Sequence, residues 1–269
     1  MKDKRILFIS SELSPYLPET EVSKMAFEVP KEMHHQGAQI RMFMPRFGVI
    51  NERRHQLHEV IRLSGMNLII NDMDMPLIIK VASIPKERMQ VYFIDNEEYF
   101  KRKAVFTNED GKLFEDNDER AIFFAKGVVE TVKKLKWAPD IIHIHGWMAS
   151  LLPLYLREYY KNDPLFTESK IVVSAFNNDT NGVLCNETLV NKIKFDQISE
   201  SKLDSLHKES NNSFMKIAIE NADAIIKGSE NLNDELNSFI DNLEIPVLDY
   251  QPLESFTEAY SDFYLTKVL

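Results

Sequence analysis

The loop after the first apolar run carries side chains that could meet a ligand. Residues 5–9 (RILFI) suit a strand buried on both faces, and apolar residues at helical spacing follow from residue 22. In an open parallel sheet, the loop between such a strand and helix is where ligands bind. A phosphate bound there needs backbone N–H groups and positive charge. Pro18 donates no N–H, and Glu19 and Glu21 would repel a diphosphate, so these residues oppose phosphate chemistry.

Two histidines, His143 and His145, lie in the segment DIIHIHGW at residues 140–147. The period-two alternation of a strand puts both rings on one face. A metal site needs further ligands, and the spacing shows no third one, so structural roles are favoured for the pair. We therefore expect no metal and no cofactor. Trp147, at the start of the next helix, is expected to pack against the core.

Arg120 and Asn177 are further polar residues beside predicted elements. Arg120 follows the sequence DNDE and enters a helix whose apolar stripe covers residues 121–132. It either points into a cleft or pairs with neighbouring acidic residues. Asn177 follows an apolar strand at residues 170–175, and it either binds a hydroxyl group or caps its own turn.

The composition is that of a folded domain with a substantial core. The 269 residues can form one large domain or two small ones, and 44% are hydrophobic, which argues against disorder. A net charge of -10 argues against a nucleic-acid or anionic-membrane surface. The single cysteine, Cys185, excludes an intrachain disulfide and suits a reducing compartment. Since neither a membrane-spanning run nor a signal peptide is recognised, we expect a cytoplasmic protein.

Apolar periodicity predicts alternating strands and helices. Strands are expected at residues 5–9, 39–44, 60–63, 67–70, 77–81, 91–94, 140–145, 170–175 and 224–227. The first helix is expected to begin at Pro18, and another to be capped by Asn117 or Asp118. Further helices are expected from residue 146 to Tyr160, at 231–240 and at 254–269. Residues 191–208 are expected to be exposed and partly helical.

Dispersed motifs of the chain resemble bacterial glycogen synthases and plant starch synthases. They are SSELSP at residues 10–15 with PRFG at 45–48, YFKR at 99–102 with DN at 116–117, and DIIHIHGW at 140–147. The resemblance covers about residues 4–240. It implies an α/β fold with a single doubly wound, mostly parallel Rossmann-like sheet and a β-hairpin excursion, as in one half of a GT-B type glycosyltransferase. Residues 1–250 would form this N-terminal domain, and residues 251–269 a C-terminal helix that packs back on it.

The positions at which the family handles phosphate and sugar differ in this chain. The Lys and the two Gly of the family's first loop correspond to Pro18, Thr20 and Glu21. The Asp that contacts the donor sugar corresponds to Gly146, and the His that donates to the reacting sugar to Phe176. Retained residues include Asn177, Gly182 and Lys216. The substrate-binding candidates are therefore Tyr16, Arg120, His145, Trp147, Asn177 and Lys216, and no residue is a catalytic candidate.

The resemblance supports three hypotheses about function. The first is a catalytically inactive relative that acts as a binding or regulatory module, with an α-glucan or a full-length synthase as its partner. The second is an active glucosyltransferase subunit, from ADP- or UDP-glucose to α-1,4-glucan, completed by a separate donor-binding chain. The third is a structural relic without a ligand. The family's donor-binding domain is not expected in this chain, and the substitutions at Pro18, Gly146 and Phe176 favour the first hypothesis.

Overall fold

A computed structural model describes residues 1–178, 187–208 and 210–269. Within these residues, ten strands form the sheet: β1 (Arg5–Ser10), β2 (Gln39–Pro45), β3 (His58–Glu59), β4 (Met66–Ile70), β5 (Met73–Ser83), β6 (Gln90–Asp95), β7 (Ile141–His145), β8 (Lys170–Ala175), β9 (Ala224–Lys227) and β10 (Val247–Leu248). The α-helices are α1 (Glu21–His35), α2 (Glu97–Phe100), α3 (Asn117–Leu135), α4 (Leu152–Glu158), α5 (Glu187–Phe195), α6 (Ser213–Glu220), α7 (Asp234–Asp241) and α8 (Phe256–Phe263).

The sheet is doubly wound, mostly parallel and Rossmann-like. Its strand order is β10-β9-β8-β7-β1-β2-β6-β5-β3, and β4 forms an antiparallel hairpin with β5. From β1 the chain first builds the side that contains β2 and β6, and it then crosses to β7 on the other side of β1. The point where the direction of winding reverses therefore lies between the carboxyl ends of β1 and β7, which is where such sheets bind ligands.

The central strands are buried on both faces because helices cover the sheet. In β1, β7 and β8 every residue after the first is buried, and this explains their continuous apolar sequences. The helix α1 turns an apolar stripe inward, with Met25, Val29 and Met33 almost fully buried. None of the described helices combines the length and apolar composition that crossing a membrane requires.

Two predicted elements are wrong near the start of the chain. Residues 60–63 form a turn instead of a strand, because the N–H groups of Leu63 and Ser64 both donate to the carbonyl of Val60. The helix α1 begins at Glu21 and not at Pro18. Thr20 is its N-cap and forms a reciprocal capping box with Ser23, which fixes the first turn three residues later than the proline suggests.

Three further expectations need correction. Neither Asn117 nor Asp118 caps α3; Asp116 holds the N-cap position and makes no side-chain capping bond. The helix after β7 is a short 3-10 turn, Trp147–Ala149, followed by α4, which ends before Tyr160. Residues 191–208 are partly buried, because Ile193 of α5, next to α3, and Ile198, Leu203 and Leu206 after it lie in the core.

The C-terminal segment packs back against the sheet. The helix α8 lies against α1, where Ser261 donates to Gln36 Oε1 at 2.7 Å, and a π-helical turn continues it over Tyr264–Val268. Tyr264 is fully buried, and its hydroxyl lies 2.6 Å from His143 Nδ1. The other ring nitrogen of His143 lies 2.8 Å from Ser174 Oγ. A chain of polar contacts thus joins β8, β7 and the C-terminal segment inside an apolar core.

His145 lies beside this polar chain but does not join it. Its ring centroid is 4.1 Å from that of His143, and the ring is fully buried. Neither of its nitrogens has a hydrogen-bond partner among the described residues. Burial lowers the pKa of His145 to about 3, and burial together with the neighbouring His145 ring lowers the pKa of His143 well below its ordinary value. Both rings are therefore neutral in the folded protein at pH 7.

We predict that Tyr264→Phe destabilises the protein by about 1–3 kcal/mol, because it leaves His143 Nδ1 buried without a partner. Urea unfolding at pH 7 measures this loss. Tyr250→Phe is the matched control, because Tyr250 is only half-buried and its hydroxyl has no hydrogen bond with a described residue. The control should change the free energy of unfolding by less than about 0.5 kcal/mol. Equal losses in both variants would show that the contact between Tyr264 and His143 contributes nothing.

We also predict an acid-dependent loss of stability from His145. Below about pH 6.5 the unfolded chain protonates this histidine, whereas the folded chain, with a pKa of about 3, does not. The free energy of unfolding therefore falls as the pH falls, by about 2 kcal/mol between pH 7 and pH 5 for this one group. In His145→Leu that part of the loss should disappear from urea unfolding curves. His58→Leu, at an exposed histidine, should retain it, and parallel pH profiles for the wild type and His145→Leu would contradict the prediction.

Candidate functional site

A cavity of about 650 Å³ opens where the winding of the sheet reverses. Its walls come from five parts of the chain: the loop after β1 with the first turn of α1, the loop after β2, the segment between α2 and α3, the turn after β7, and the loops around β8 and α6. The residues that line it are Glu12, Thr20, Glu21, Val22, Val49, Ala104, Val105, Phe106, Thr107, Gly111, Gly146, Trp147, Phe176, Asn177, Asn178, Asn211 and Met215.

The amino-terminal end of α1 presents carboxylates to this cavity. Thr20 Oγ1 accepts from the Ser23 N–H at 3.0 Å, and Ser23 Oγ accepts from the Thr20 N–H at 2.8 Å, so the capping box uses two backbone donors. The Thr20 hydroxyl also donates to Glu12 Oε2 at 2.9 Å. Glu21, in the first turn, accepts from the Ser229 hydroxyl at 2.5 Å. The positive end of the helix dipole is thus already compensated by acidic groups.

Burial shifts the pKa of Glu12 more than its hydrogen bond with Thr20 does. Removal of water raises the pKa of the Glu12 carboxyl, and the hydroxyl of Thr20 lowers it by a smaller amount. The net direction is upward, so this carboxyl keeps its proton to a higher pH than an exposed glutamate would. Glu12 was not among the residues that the sequence indicated. Its position two residues after β1 was the only available signal.

Gly146 lies at the floor of the cavity in a conformation that suits only glycine. Its φ is +78°, and a Cβ built on it would lie 2.6 Å from Ser11 Oγ. Ser11 cannot easily retreat, because its N–H donates to the His145 carbonyl at 3.0 Å and its Oγ accepts from the Met148 N–H at 2.9 Å. The backbone seen here therefore has no room for the aspartate that the family carries at this position.

Phe176 and Trp147 contribute ring edges to the wall. Phe176 is 2% exposed and covers Gly228 so closely that a Cβ there would lie 2.6 Å from its ring. Trp147 is 6% exposed and packs against Phe106 and Phe214, with ring centroids 4.8 Å and 5.6 Å away. The Nε1–H of Trp147 has no acceptor among the described residues. Phe106 is a lining residue that the sequence did not reveal, because it lies outside any periodic segment.

Asn177 and Lys216, two further candidates from the sequence, form polar contacts within the protein. Asn177 lines the cavity, but its Oδ1 accepts from the Asn233 N–H at 2.9 Å and its Nδ2 donates to the Asn231 carbonyl at 2.8 Å. Lys216 lies away from the cavity and pairs with Glu235 at 2.5 Å. These contacts join the loops after β8 and β9 and hold α6 against α7.

Tyr16 and Pro18 lie behind the loop rather than in the cavity wall. The Tyr16 ring packs against Phe93 and His55 with centroids 4.9 Å from each, and burial raises the pKa of Tyr16 to about 12. The Pro18 carbonyl accepts from Ser23 Oγ at 3.1 Å. Gly182 and Cys185 lie outside the described residues.

The sequence allowed Arg120 either to point into a cleft or to pair with neighbouring acidic residues, and among the described residues it does neither. It is fully buried, and its guanidinium lies 5.4, 5.1 and 5.6 Å from the ring centroids of Phe47, Phe100 and Phe114. Nη1 donates to Asn117 Oδ1 at 2.6 Å, whereas Nε and Nη2 have no partner among the described residues. Burial, and to a smaller extent the charge of Arg102, lower the pKa of Arg120 to about 9. Asp116 pairs with Arg102 instead, at 2.5 Å.

The cavity as a whole is acidic. Two carboxylates line it, and no Lys, Arg or His does so among the described residues. Residues 179–186, which follow Asn178 in the chain, read DTNGVLCN and contain no basic residue. No group of three or more His, Cys, Asp or Glu in the described part of the chain could hold a metal ion. Such a wall suits hydroxyl donors and apolar ring faces better than it suits anions.

Comparisons with known proteins agree with this architecture. The family model of the starch synthase catalytic domain matches residues 5–244. The glycogen synthase of Chlorobium luteolum is 34% identical over 237 residues, which are 87% of this chain and 47% of that protein. The glycogen synthase of Chlorobium limicola is 38% identical over 181 residues, which are 67% of this chain and 37% of that protein. The chain thus spans about half the length of these relatives, or less.

A solved structure shows the same fold. The catalytic domain of starch synthase IV from Arabidopsis thaliana, bound to ADP and acarbose, matches with a TM-score of 0.70 at 15% sequence identity, over 92% of this chain and 52% of that one. The doubly wound sheet, the motifs around β1 and β7 and the family match over residues 5–244 lead to one conclusion. The chain belongs to the family of the starch synthase catalytic domain, together with the bacterial glycogen synthases.

Proposed function

We propose that this chain is a carbohydrate-binding member of its family, which binds an α-glucan in the cavity and by itself transfers no glucose. The observation that carries the proposal is the pair of carboxylates, Glu12 and Glu21, at the amino-terminal end of α1, in a cavity lined by no described cation. A site that handles a nucleoside diphosphate needs the opposite arrangement.

The charge argument can be given a magnitude. Two unit charges 4 Å apart interact by about 4 kcal/mol at the effective dielectric of a protein surface. Glu21 is exposed, so water screens part of the repulsion of a diphosphate beside it, and about 4 kcal/mol, the whole free energy of a millimolar interaction, is the upper bound of this repulsion. With Pro18 in place of a lysine, no cation among the described lining residues offsets this repulsion, and the capping box already engages the N–H of Ser23.

The same groups suit a neutral sugar. Hydroxyl groups can donate to the carboxylates of Glu12 and Glu21, while Phe106 and Trp147 supply apolar surface for a ring face. The Arabidopsis thaliana relative of the same fold was solved with acarbose as well as ADP, so a saccharide site in this fold has a precedent in that protein. The groups that line this cavity thus suit hydroxyl donors and apolar ring faces better than they suit a diphosphate.

The first test compares two ligands by calorimetry on the whole chain. Maltoheptaose should bind with a dissociation constant in the millimolar range or below, and ADP should show no binding at the same concentrations. An assay for glucose transfer from ADP-glucose to glycogen should show no turnover by the isolated chain. Ordered binding of ADP or measurable turnover would overturn the proposal.

The second test restores the family residues. Pro18→Lys combined with Thr20→Gly and Glu21→Gly removes one negative charge, adds one positive charge and opens the amino-terminal end of α1. We expect this triple variant to gain weak ADP binding, with a dissociation constant of about 1 mM.

The matched control places the same three changes at Pro164, Thr167 and Glu168, a turn before β8 at the opposite end of the strands. It should gain no ADP binding. If both triple variants bind ADP equally, the net charge of the chain and not the local site determines ADP binding. The argument that the amino-terminal end of α1 excludes a diphosphate then fails.

A further inference from the structure

Each of the two cavity carboxylates forms a hydrogen bond through only one of its oxygens. Glu12 Oε2 accepts from Thr20, and Glu21 Oε2 accepts from Ser229. For the second oxygen of each carboxylate, no hydrogen bond or ion pair with a described residue exists. Each glutamate therefore keeps one acceptor oxygen for a ligand.

Two lysines that lie close in sequence to Glu21 and to Ser229 do not neutralise the cavity glutamates. Lys24, on α1, pairs with Glu19 at 3.3 Å, and Lys227, at the end of β9, pairs with Asp249 at 3.0 Å. Among the described residues, none of the lining side chains is basic. The negative charge of the cavity is thus left without a counterion from the part of the chain that the structure describes.

The rest of the wall is suited to a sugar ring rather than to a small ion. Trp147 lines the cavity, is 6% exposed and has an Nε1–H without an acceptor among the described residues. Phe106 and Val105 lie on the facing segment, and Thr107 adds a hydroxyl. A cavity of about 650 Å³ is large enough for more than one pyranose ring.

A neutral glucan does not compensate the negative charges of Glu12 and Glu21. When it covers Glu12 and Glu21 it removes water from two charged groups and returns only hydroxyl donors. A protonated amine on the sugar returns an opposite charge together with three N–H donors, so it adds an ion-pair attraction to the hydrogen bonds that hydroxyl groups also form with carboxylates.

We propose that the cavity prefers a saccharide that carries a protonated amine, such as an oligomer of glucosamine, over the neutral saccharide of the same length. The inference rests on the proposed carbohydrate-binding function and specifies the ligand class of the same site. The amine lies between the free oxygens of Glu12 and Glu21, and the ring lies against Phe106 and Trp147.

The test uses ligands that differ in charge alone. The glucosamine trimer and cellotriose share their linkage and differ only by an ammonium in place of a hydroxyl on each ring. At low salt and at a pH where the amine is protonated, the whole chain should bind the glucosamine trimer about tenfold more tightly. Since the preference is electrostatic, it should shrink at high salt. It should shrink again in Glu21→Gln, which retains an acceptor for Ser229, and remain in Glu258→Gln, at an exposed glutamate on α8.

The outcomes separate this inference from the function on which it rests. Maltotriose binding without any preference for the amine overturns the inference and leaves the proposed function intact. Failure of every saccharide overturns both. Binding of 1,4-diaminobutane as tightly as the glucosamine trimer also overturns the inference, because the sugar ring then contributes nothing. A preference that survives high salt or Glu21→Gln contradicts its electrostatic origin.

Discussion

The close approach of Ser11 to Gly146 is the constraint on which the rest of the site depends. Ser11 bridges the two central strands: its N–H donates to the carbonyl at the end of β7, and its hydroxyl accepts the Met148 N–H beyond it. This pairing of loops is possible because β1 and β7 are parallel neighbours whose last residues, Ser10 and His145, are in register. It leaves no space for a Cβ at residue 146. The floor of the cavity is therefore backbone, and the chemistry of the site must come from its walls.

Several polar groups of the cavity walls form hydrogen bonds within the protein. The capping box engages the backbone N–H groups of Thr20 and Ser23, and the side-chain amide of Asn177 forms hydrogen bonds with the loop after β9. The cavity keeps two acceptors, the second oxygens of Glu12 and Glu21. A wall that offers acceptors selects ligands that donate hydrogen bonds, and so it favours hydroxyls and amines over phosphates. The ligand class that we propose thus follows from a few substitutions on the scaffold of the family.

The sequence predicted the scaffold better than the site. Strands β1, β6 and β8 lie within about one residue of their predicted bounds, because a strand buried on both faces must be a continuous apolar run. The start of α1 was mislocated, since a proline and a capping threonine compete as signals and only the hydrogen bonds of Thr20 decide between them. The surroundings of Arg120 were not predictable either. Its contact with Phe47 joins residues far apart in sequence, and Phe114 lies in a segment without regular structure, so no periodicity predicts either contact.

Arg120 also explains how a segment without regular structure can form a stable wall. Asn117 holds the guanidinium through Oδ1, and its Nδ2 donates to the Phe106 carbonyl, so one side chain joins the buried arginine to the cavity wall. On the outer side, Arg102 and Asp116 close the same segment at its two ends. Phe106 is then pressed between Phe47 and Trp147, with ring centroids 5.4 and 4.8 Å away. Because a buried arginine without an acid partner is costly, its place among aromatic rings is understandable only as part of this support. Arg120 therefore supports the cavity wall from behind and is not itself a lining residue.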